Sequence, residues 1–254
     1  MQIRILGAHQ GQSRDMGFMS ILVDDRLAID AGNLLASLTL EEQRRVEAVL
    51  LTHMHWDHIK DLPGFAHNWW QSRSLALYCA DDTREALESY MFNDAIWPSM
   101  QQKVGDYHPV VFHRVEPGKT FSLLGYEVTA VPMSHTVPTL GYLVERGGEG
   151  FFFTADTRGE GNPSWAHLRP DLLIAETTMS SEHTETANRF GHMTPQTLER
   201  ELQVFHQRQG YYPRTLCVHI NPHQEEQIRR ELAEVAARLG ADIVGAYEDM
   251  VVEI

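Results

Sequence analysis

The sequence predicts a four-layer αββα sandwich of the α/β (α+β) class, two mixed β-sheets packed face to face with helices on their outer sides. Three observations lead there. Strand-like apolar runs come in groups, and helical stretches are interspersed among them without regular βα alternation. The 254 residues also contain no Pro/Gly/Ser-rich linker, low-complexity tract or repeat, so residues 1–254 read as a single domain.

The elements follow in order. Ile3–Gly7, Met19–Val23 and Arg26–Asp30 read as three successive strands closing at Asp30-Ala-Gly32. Thr39–Val46 is a short helix, and Val46–Thr52, an apolar run with β-branched residues, is a buried strand. Thr83–Ile96 is amphipathic, with Leu87, Tyr90, Met91 and Ala95 near one helical face. Val110–Arg114, Thr120–Leu123 and Tyr126–Val131 give more strands, with Gly118 and Gly125 at turns. Gly141–Arg146 and Gly150–Thr154 form a hairpin around Gly147-Gly148, and Leu172–Ala175 is again a buried strand. Thr194–Gln207 is a helix, with Thr194 as N-cap and Pro195 at the first helical position. Thr215–Val218 is a strand, Gln224–Leu239 a helix, and the chain ends in strand residues.

The chain opens Met-Gln-Ile-Arg-Ile-Leu-Gly-Ala, which reads as a strand rather than a signal peptide. No apolar run approaches membrane-spanning length, so the expectation is a cytoplasmic protein away from the membrane. Cys79 and Cys217 lie near apolar strands and fit buried small residues in a reducing compartment better than a disulfide. The net charge is −14, and the only lysines are Lys60, Lys103 and Lys119. With no basic tract to grip a phosphate backbone, extended nucleic acid is a poor partner. A small anion remains compatible, because bound metal ions supply positive potential that the formal charge omits. Homodimers are common among oligomers, yet no stretch marks an interface.

The stretch Leu51-Thr-His-Met-His-Trp-Asp-His58 crowds three imidazoles and a carboxylate directly after a buried strand. Neutral imidazole and carboxylate are the ligands that Zn²⁺ and similar divalent ions prefer. His53 and His55, two apart on extended chain, can point the same way, whereas Asp57 and His58 fall where a helix begins and face elsewhere. Two adjacent ions, one for each pair, is the natural arrangement. Further residues of ligand type close other strands: His135 after Val128–Met133, Asp156 after Gly150–Thr154, and His219 after Leu216–Val218. Singly, each histidine fits a hydrogen-bonded structural role and Asp156 a turn. Together with the dense cluster they describe a shared rim site. Asp30 reads as a turn residue that organises the loops beneath it.

With those residues in view the chain resembles the metallo-β-lactamase superfamily, whose H-x-H-x-D-H signature stands here as His53-Met-His-Trp-Asp-His58. The resemblance implies that His53, His55 and His135 hold one ion and that Asp57, His58 and His219 hold the other. Asp156 and a hydroxide would bridge the two. Zn²⁺, Mn²⁺ and Fe²⁺ all tolerate such a set, with Zn²⁺ the first choice. Redox diiron relatives usually carry Glu where His55 stands, so the histidine favours hydrolysis.

Three further segments are similar to class II cyclic-nucleotide phosphodiesterases. Tyr90-Met-Phe-Asn-Asp-Ala-Ile-Trp-Pro98 matches their F-N-x-x-I-W-P, and Phe190–Leu202 matches G-H-L-x-P-x-x-L-x-x-E-L. Val218-His-Ile-Asn-Pro222 matches H-I-K-P, with Asn221 replacing the lysine. The resemblance implies hydrolysis of a small phosphodiester, 3′,5′-cyclic AMP or GMP, to the 5′-monophosphate by the bridging hydroxide, which Asp57 would help orient. His192 would face the scissile phosphate as acid or transition-state stabiliser, its ring held at the other nitrogen by Glu176.

Trp69, Trp70, Phe92 and Trp97 are candidates to stack on a purine, although Phe92 and Trp97 fit better as core anchors of their helix. The competing functions are a ribonuclease Z-like RNA phosphodiesterase, a thioester or lactone hydrolase, and a non-enzymatic metal-binding scaffold or signalling protein. Ribonuclease Z-like enzymes typically insert a flexible arm between the ligands matching His135 and Asp156, where this chain has one hairpin.

Overall fold

A computed structural model describes residues 1–159, 161 and 163–254. The first half of the chain runs through β1 (Gln2–Gly7), β2 (Ser20–Val23), β3 (Leu27–Ile29), α1 (Leu34–Ser37), α2 (Leu40–Arg45) and β4 (Ala48–Leu50). It continues through α3 (Trp56–Ile59), α4 (Leu62–Trp69), β5 (Leu75–Cys79), α5 (Asp81–Tyr90) and β6 (Val110–Arg114). The second half comprises β7 (Thr120–Leu123), β8 (Tyr126–Met133), β9 (Thr139–Arg146), β10 (Glu149–Phe153), β11 (Leu172–Glu176) and α6 (Thr184–Phe190). Then follow α7 (Pro195–Gln209), β12 (Arg214–Val218), α8 (Glu225–Leu239), β13 (Ile243–Gly245) and β14 (Met250–Glu253).

These strands form two seven-stranded sheets, β14-β1-β2-β3-β4-β5-β6 and β13-β12-β11-β10-β9-β8-β7. Side-chain alternation along each strand explains why they stack. Ile21 and Val23 of β2, Leu27 and Ile29 of β3, and Ala48 and Leu50 of β4 enter the core between the sheets. From the other sheet Val128, Tyr142, Phe151, Phe153, Ile174 and Leu216 enter the same core. The intervening Leu22, Ala28 and Val49 face outward onto a second core with Leu34, Leu62, Phe65 and Leu87 from the helices. Phe152, Leu173 and Cys217 face the other way onto a third core with Leu198, Phe205, Ile228 and Leu232. Two outer cores and one inner core make the four layers that the sequence predicted.

The elements differ from expectation at a few places. The apolar strand expected near Cys79 is β5, whose extent the sequence leaves open because Leu75-Ala-Leu-Tyr-Cys79 is mostly residues without strand preference; pairing with β4 and β6 sets it. The helix expected to reach Ile96 ends at Tyr90. There the Asn93 side chain accepts the amides of Ala95 and Ile96, at 3.0 and 2.9 Å, replacing helical bonds with a side-chain turn. The short α1, α4 and α6 have no periodic face long enough to be seen in the sequence, whereas α3 holds Asp57 and His58, where the sequence places a helix start. Thr194 caps α7 as expected, accepting from Thr197 N at 3.3 Å.

Strand direction positions the site. β10, β11 and β12 are mutually parallel, and β8 runs with them because each of its neighbouring pairings through β9 is antiparallel. Their carboxyl ends therefore open on one edge, where α/β sheets place ligands. The loop after β4 is tied to that edge by Tyr142 Oη donating to Leu51 O at 2.7 Å and by Leu140 N donating to Thr52 O at 3.0 Å. Among the described residues no helix is long and apolar enough to cross a membrane.

Candidate metal centre

Every expected metal ligand, together with His192 and Glu176, arrives at that edge. One ligand atom each from His53, His55, His135 and Asp156 lie within 4.8 Å of one another, and the same holds for Asp57, His58 and His219. Asp156 sits between the groups: its carboxylate is 3.7 Å from His53 Nε2, 3.8 Å from His135 Nε2, 3.4 Å from His58 Nε2 and 3.5 Å from His219 Nε2. Asp57 reaches His219 Nε2 at 3.0 Å. The His55 and His135 rings approach at 3.2 Å between nitrogens.

This arrangement is expensive for a protein with nothing in the middle. His53 Nε2, His58 Nε2 and Asp156 Oδ1 are buried and have no hydrogen-bond partner, which buried polar atoms rarely tolerate. All three point to the same place, so the residues fit a cation or cations held among them.

Two carboxylate–threonine units, one from each sheet, explain why those nitrogens are free. Asp30, fully buried in left-handed backbone after β3, accepts from Thr52 Oγ1 at 2.8 Å and lies 2.7 Å from His58 Nδ1. With its hydrogen committed to Asp30, Thr52 Oγ1 accepts from His53 Nδ1 at 2.9 Å. Both rings thus carry their proton on Nδ1 and present the lone pair of Nε2. On the second sheet Glu176, at the end of β11, accepts from Thr178 Oγ1 at 2.8 Å, and that oxygen accepts from His219 Nδ1 at 2.8 Å. Glu176 Oε1 also takes His192 Nδ1 at 3.1 Å and the amides of Thr157 and Met193 at 3.1 and 3.0 Å. His135 Nδ1 donates to Gly191 O at 2.8 Å. Nothing in the sequence marks Thr52 or Thr178, although Thr52 adjoins His53 and Thr178 stands two residues after Glu176. Asp30 was recognised as a support beneath the site, but not as the partner of His58.

The electrostatics divide the histidines. Burial, reinforced by the charge of His58, holds His53 well below its usual pKa, and burial lowers His55 and His135 too. These are neutral, as ligands must be. Burial opposes charge on His58, but Asp156, Asp30 and Asp57 outweigh it and raise its pKa well above the usual value. The potential that would hold a proton there would equally hold a metal ion. Burial would raise Asp57, but His58 and the His219 hydrogen bond bring it down to about 2. His192 behaves differently from the neutral three: burial lowers it, Glu176 with Asp156 and Asp57 more than compensates, and its pKa rises to about 9.

Other residues fall elsewhere. Phe92 is buried in the outer core with Trp97 packed against it, the core role expected of them. Trp69 lies between the guanidinium groups of Arg44 and Arg73, each 5.3 Å from its ring. Asn221 Oδ1 accepts His223 N at 3.0 Å, so the side chain standing in the lysine position is used in a local turn. His9, left without a role by sequence, is buried with Nδ1 2.7 Å from Glu248, a partner far along the chain. Cys79 and Cys217 are buried free thiols.

A four-layer sandwich with a histidine–aspartate cluster at the strand ends of both sheets defines a fold with a candidate metal centre on one edge. A family model described as a beta-lactamase superfamily domain matches residues 23–220, and the chain belongs to the metallo-β-lactamase superfamily. Ribonuclease Z of Acaryochloris marina is 27% identical over 160 residues, covering 57% of this chain and 48% of that protein. The chain thus spans about half the length of the curated relatives it matches. Among solved structures, the metallo-β-lactamase fold protein YhfI from Bacillus subtilis superposes with a TM-score of 0.79 at 19% identity, covering 100% of this chain and 98% of that one. Unliganded yeast PDE1 gives 0.77 at 16% identity, covering 100% and 99%. At these identities the structural likeness establishes the fold.

Proposed function

We propose that the protein hydrolyses a small phosphodiester, with 3′,5′-cyclic AMP or GMP as the first candidates and the 5′-monophosphate as product. The observation that carries the reading is His192. It belongs to neither principal ligand group, yet one of its nitrogens lies within 4.8 Å of ligand atoms of Asp156 and His219. Glu176 occupies its Nδ1 and holds the ring protonated, with a pKa raised to about 9. That leaves Nε2 to face a substrate as a proton donor, which an alkoxide leaving group requires.

His53, His55, His135 and Asp156 would hold one divalent ion, and Asp57, His58 and His219 a second, with Asp156 shared. When bound, such ions acidify water and neutralise the charge that develops on phosphate oxygens. Asp57, ionised at every working pH, accepts a hydrogen bond from the attacking water and orients it. His192 donates to the departing 3′-oxygen, and Glu176 steadies the imidazolium until it is spent. Zn²⁺ is the favoured metal because the donors are mostly imidazole.

The similarity to ribonuclease Z supports phosphodiester chemistry and gives a second reading, cleavage of RNA. Two features favour the smaller substrate: only the β9–β10 hairpin separates His135 from Asp156, and the net charge is −14. The test is hydrolysis of cyclic AMP, cyclic GMP and a tRNA precursor by protein of measured metal content, with His192→Ala as control. Cyclic-nucleotide turnover that collapses in the variant is expected. Cleavage of the RNA alone would establish the second reading, and no turnover of any of them by the fully metallated protein would overturn both.

A further inference from the structure

Beside the metal centre lies an apolar groove of about 260 Å³ whose walls include Met54, Trp56, Ile59, Tyr90, Met91 and Ile96. Three of these are strongly exposed, Trp56 at 59%, Tyr90 at 77% and Ile96 at 71%. Exposing two aromatic rings and an isoleucine around one depression is costly in water, and such patches mark binding sites. The groove borders the loop that carries the ligands, because two of its wall residues, Met54 and Trp56, alternate along the chain with His53, His55 and Asp57. Tyr90 at the end of α5 and Ile96 in the turn that Asn93 builds line the same groove as Trp56.

We infer that this groove is the specificity pocket for the heteroaromatic base of the substrate, stacked against Trp56 and Tyr90 while the phosphate lies at the metal centre. The identity of the occupant rests on the phosphodiester reading above. The lining carries no charged side chain, so it suits the uncharged end of a nucleotide and not its phosphate. Its volume falls a little below the roughly 300–1,000 Å³ of pockets for drug-sized molecules, enough for one ring system. An aromatic wall offers the π-face that any base can use.

Adenosine, which has the base without a phosphate, provides a test independent of turnover. Trp56 is the only tryptophan among the exposed large hydrophobics of the described residues, so adenosine should quench tryptophan fluorescence of the zinc-loaded protein saturably. Tyr90→Ala and Ile96→Ser, both outside the ligand set, should each weaken that binding about tenfold, the loss expected for one stacking contact. In turnover, KM for cyclic AMP should rise by a similar factor, with little change for a ribose 3′,5′-cyclic phosphate lacking the base. Absence of saturable quenching, or equal KM changes for both diesters, would overturn the proposal. So would a wild-type dimer that both variants convert to monomer with adenosine binding unchanged, because the groove would then be covered by a second copy. Adenosine binding that weakens in the variants, in a protein that hydrolyses no cyclic nucleotide, would keep the pocket and remove only the phosphodiester reading.

Discussion

Asp30→Asn is nearly isosteric yet should disable half of the metal centre. The carboxylate accepts from His58 Nδ1 at 2.7 Å and from Thr52 Oγ1 at 2.8 Å, and through Thr52 it fixes His53 as well. An amide offers one acceptor and one donor in place of two acceptors. If its NH₂ faces His58, the ring proton must move to Nε2, the atom that a metal ion needs. If the amide flips, the NH₂ meets the Thr52 N–H, which donates to Asp30 at 2.9 Å in the native protein. Either way one donor is stranded where Asp30 and His58 have no exposure to water. Losing the partner that orients a ligand costs about 10–100-fold in metal affinity, or roughly 1.4–2.8 kcal/mol. The stranded donor costs the apo fold about 1–3 kcal/mol more. Zinc titration of the apo protein against a competing chelator reads the first term, and urea denaturation of the apo protein reads the second. Two ions bound at wild-type affinity would refute the argument that Asp30 sets the tautomers of His53 and His58.

Other perturbations separate the remaining roles. His192→Ala should keep metal content by elemental analysis while turnover falls roughly 10²-fold or more, as expected for a lost acid or oxyanion partner; full activity would remove it from the mechanism. Asp156→Ala should lose metal occupancy, because both ligand groups depend on that carboxylate, and two retained ions would sink its shared role. A proton donor is present below its pKa and lost above it, so turnover should fall as pH rises toward about 9, the value for His192. Cations nearby would bring that limb lower, and Glu176→Gln should shift it lower again; a pH profile unmoved in Glu176→Gln would refute the pairing. Burial pushes the Cys79 and Cys217 thiols up to about 12. Neither should therefore be alkylated by iodoacetamide at pH 8 without prior unfolding, which mass spectrometry can follow.

The sequence made the ligands legible because each follows an apolar run, and a strand end in a sandwich of this kind lies on a shared edge. With the dense cluster of His53, His55, Asp57 and His58 as anchor, that argument gathered His135, Asp156 and His219 from three further strand ends. The supports were harder to see because they depend on pairings across the chain. Nothing local in Asp30 or Thr52 announces a grip on His58, and the His9–Glu248 contact joins opposite ends of the sequence. The extent of β5 stayed open because most of its residues have no strand preference, and pairing with its neighbours decides it. Phe92 is buried as its core reading expected, whereas nothing in the stretch around Trp56, set among ligand-type residues, told that its ring stays at the surface.

The division of the site between the sheets has a mechanical consequence. His53, His55, Asp57 and His58 come from the loop after β4 and the α3 that follows it, whereas His135, Asp156 and His219 come from just past the ends of β8, β10 and β12 in the other sheet. Neither half owns a complete coordination sphere, and each brings its own carboxylate–threonine brace. A bound ion would act as a rivet through the seam. Its removal would loosen the edge that holds the chemistry while leaving the three apolar cores in place. The molecule would then come apart first at its working face, and the metal supply would set how long that face stays shut.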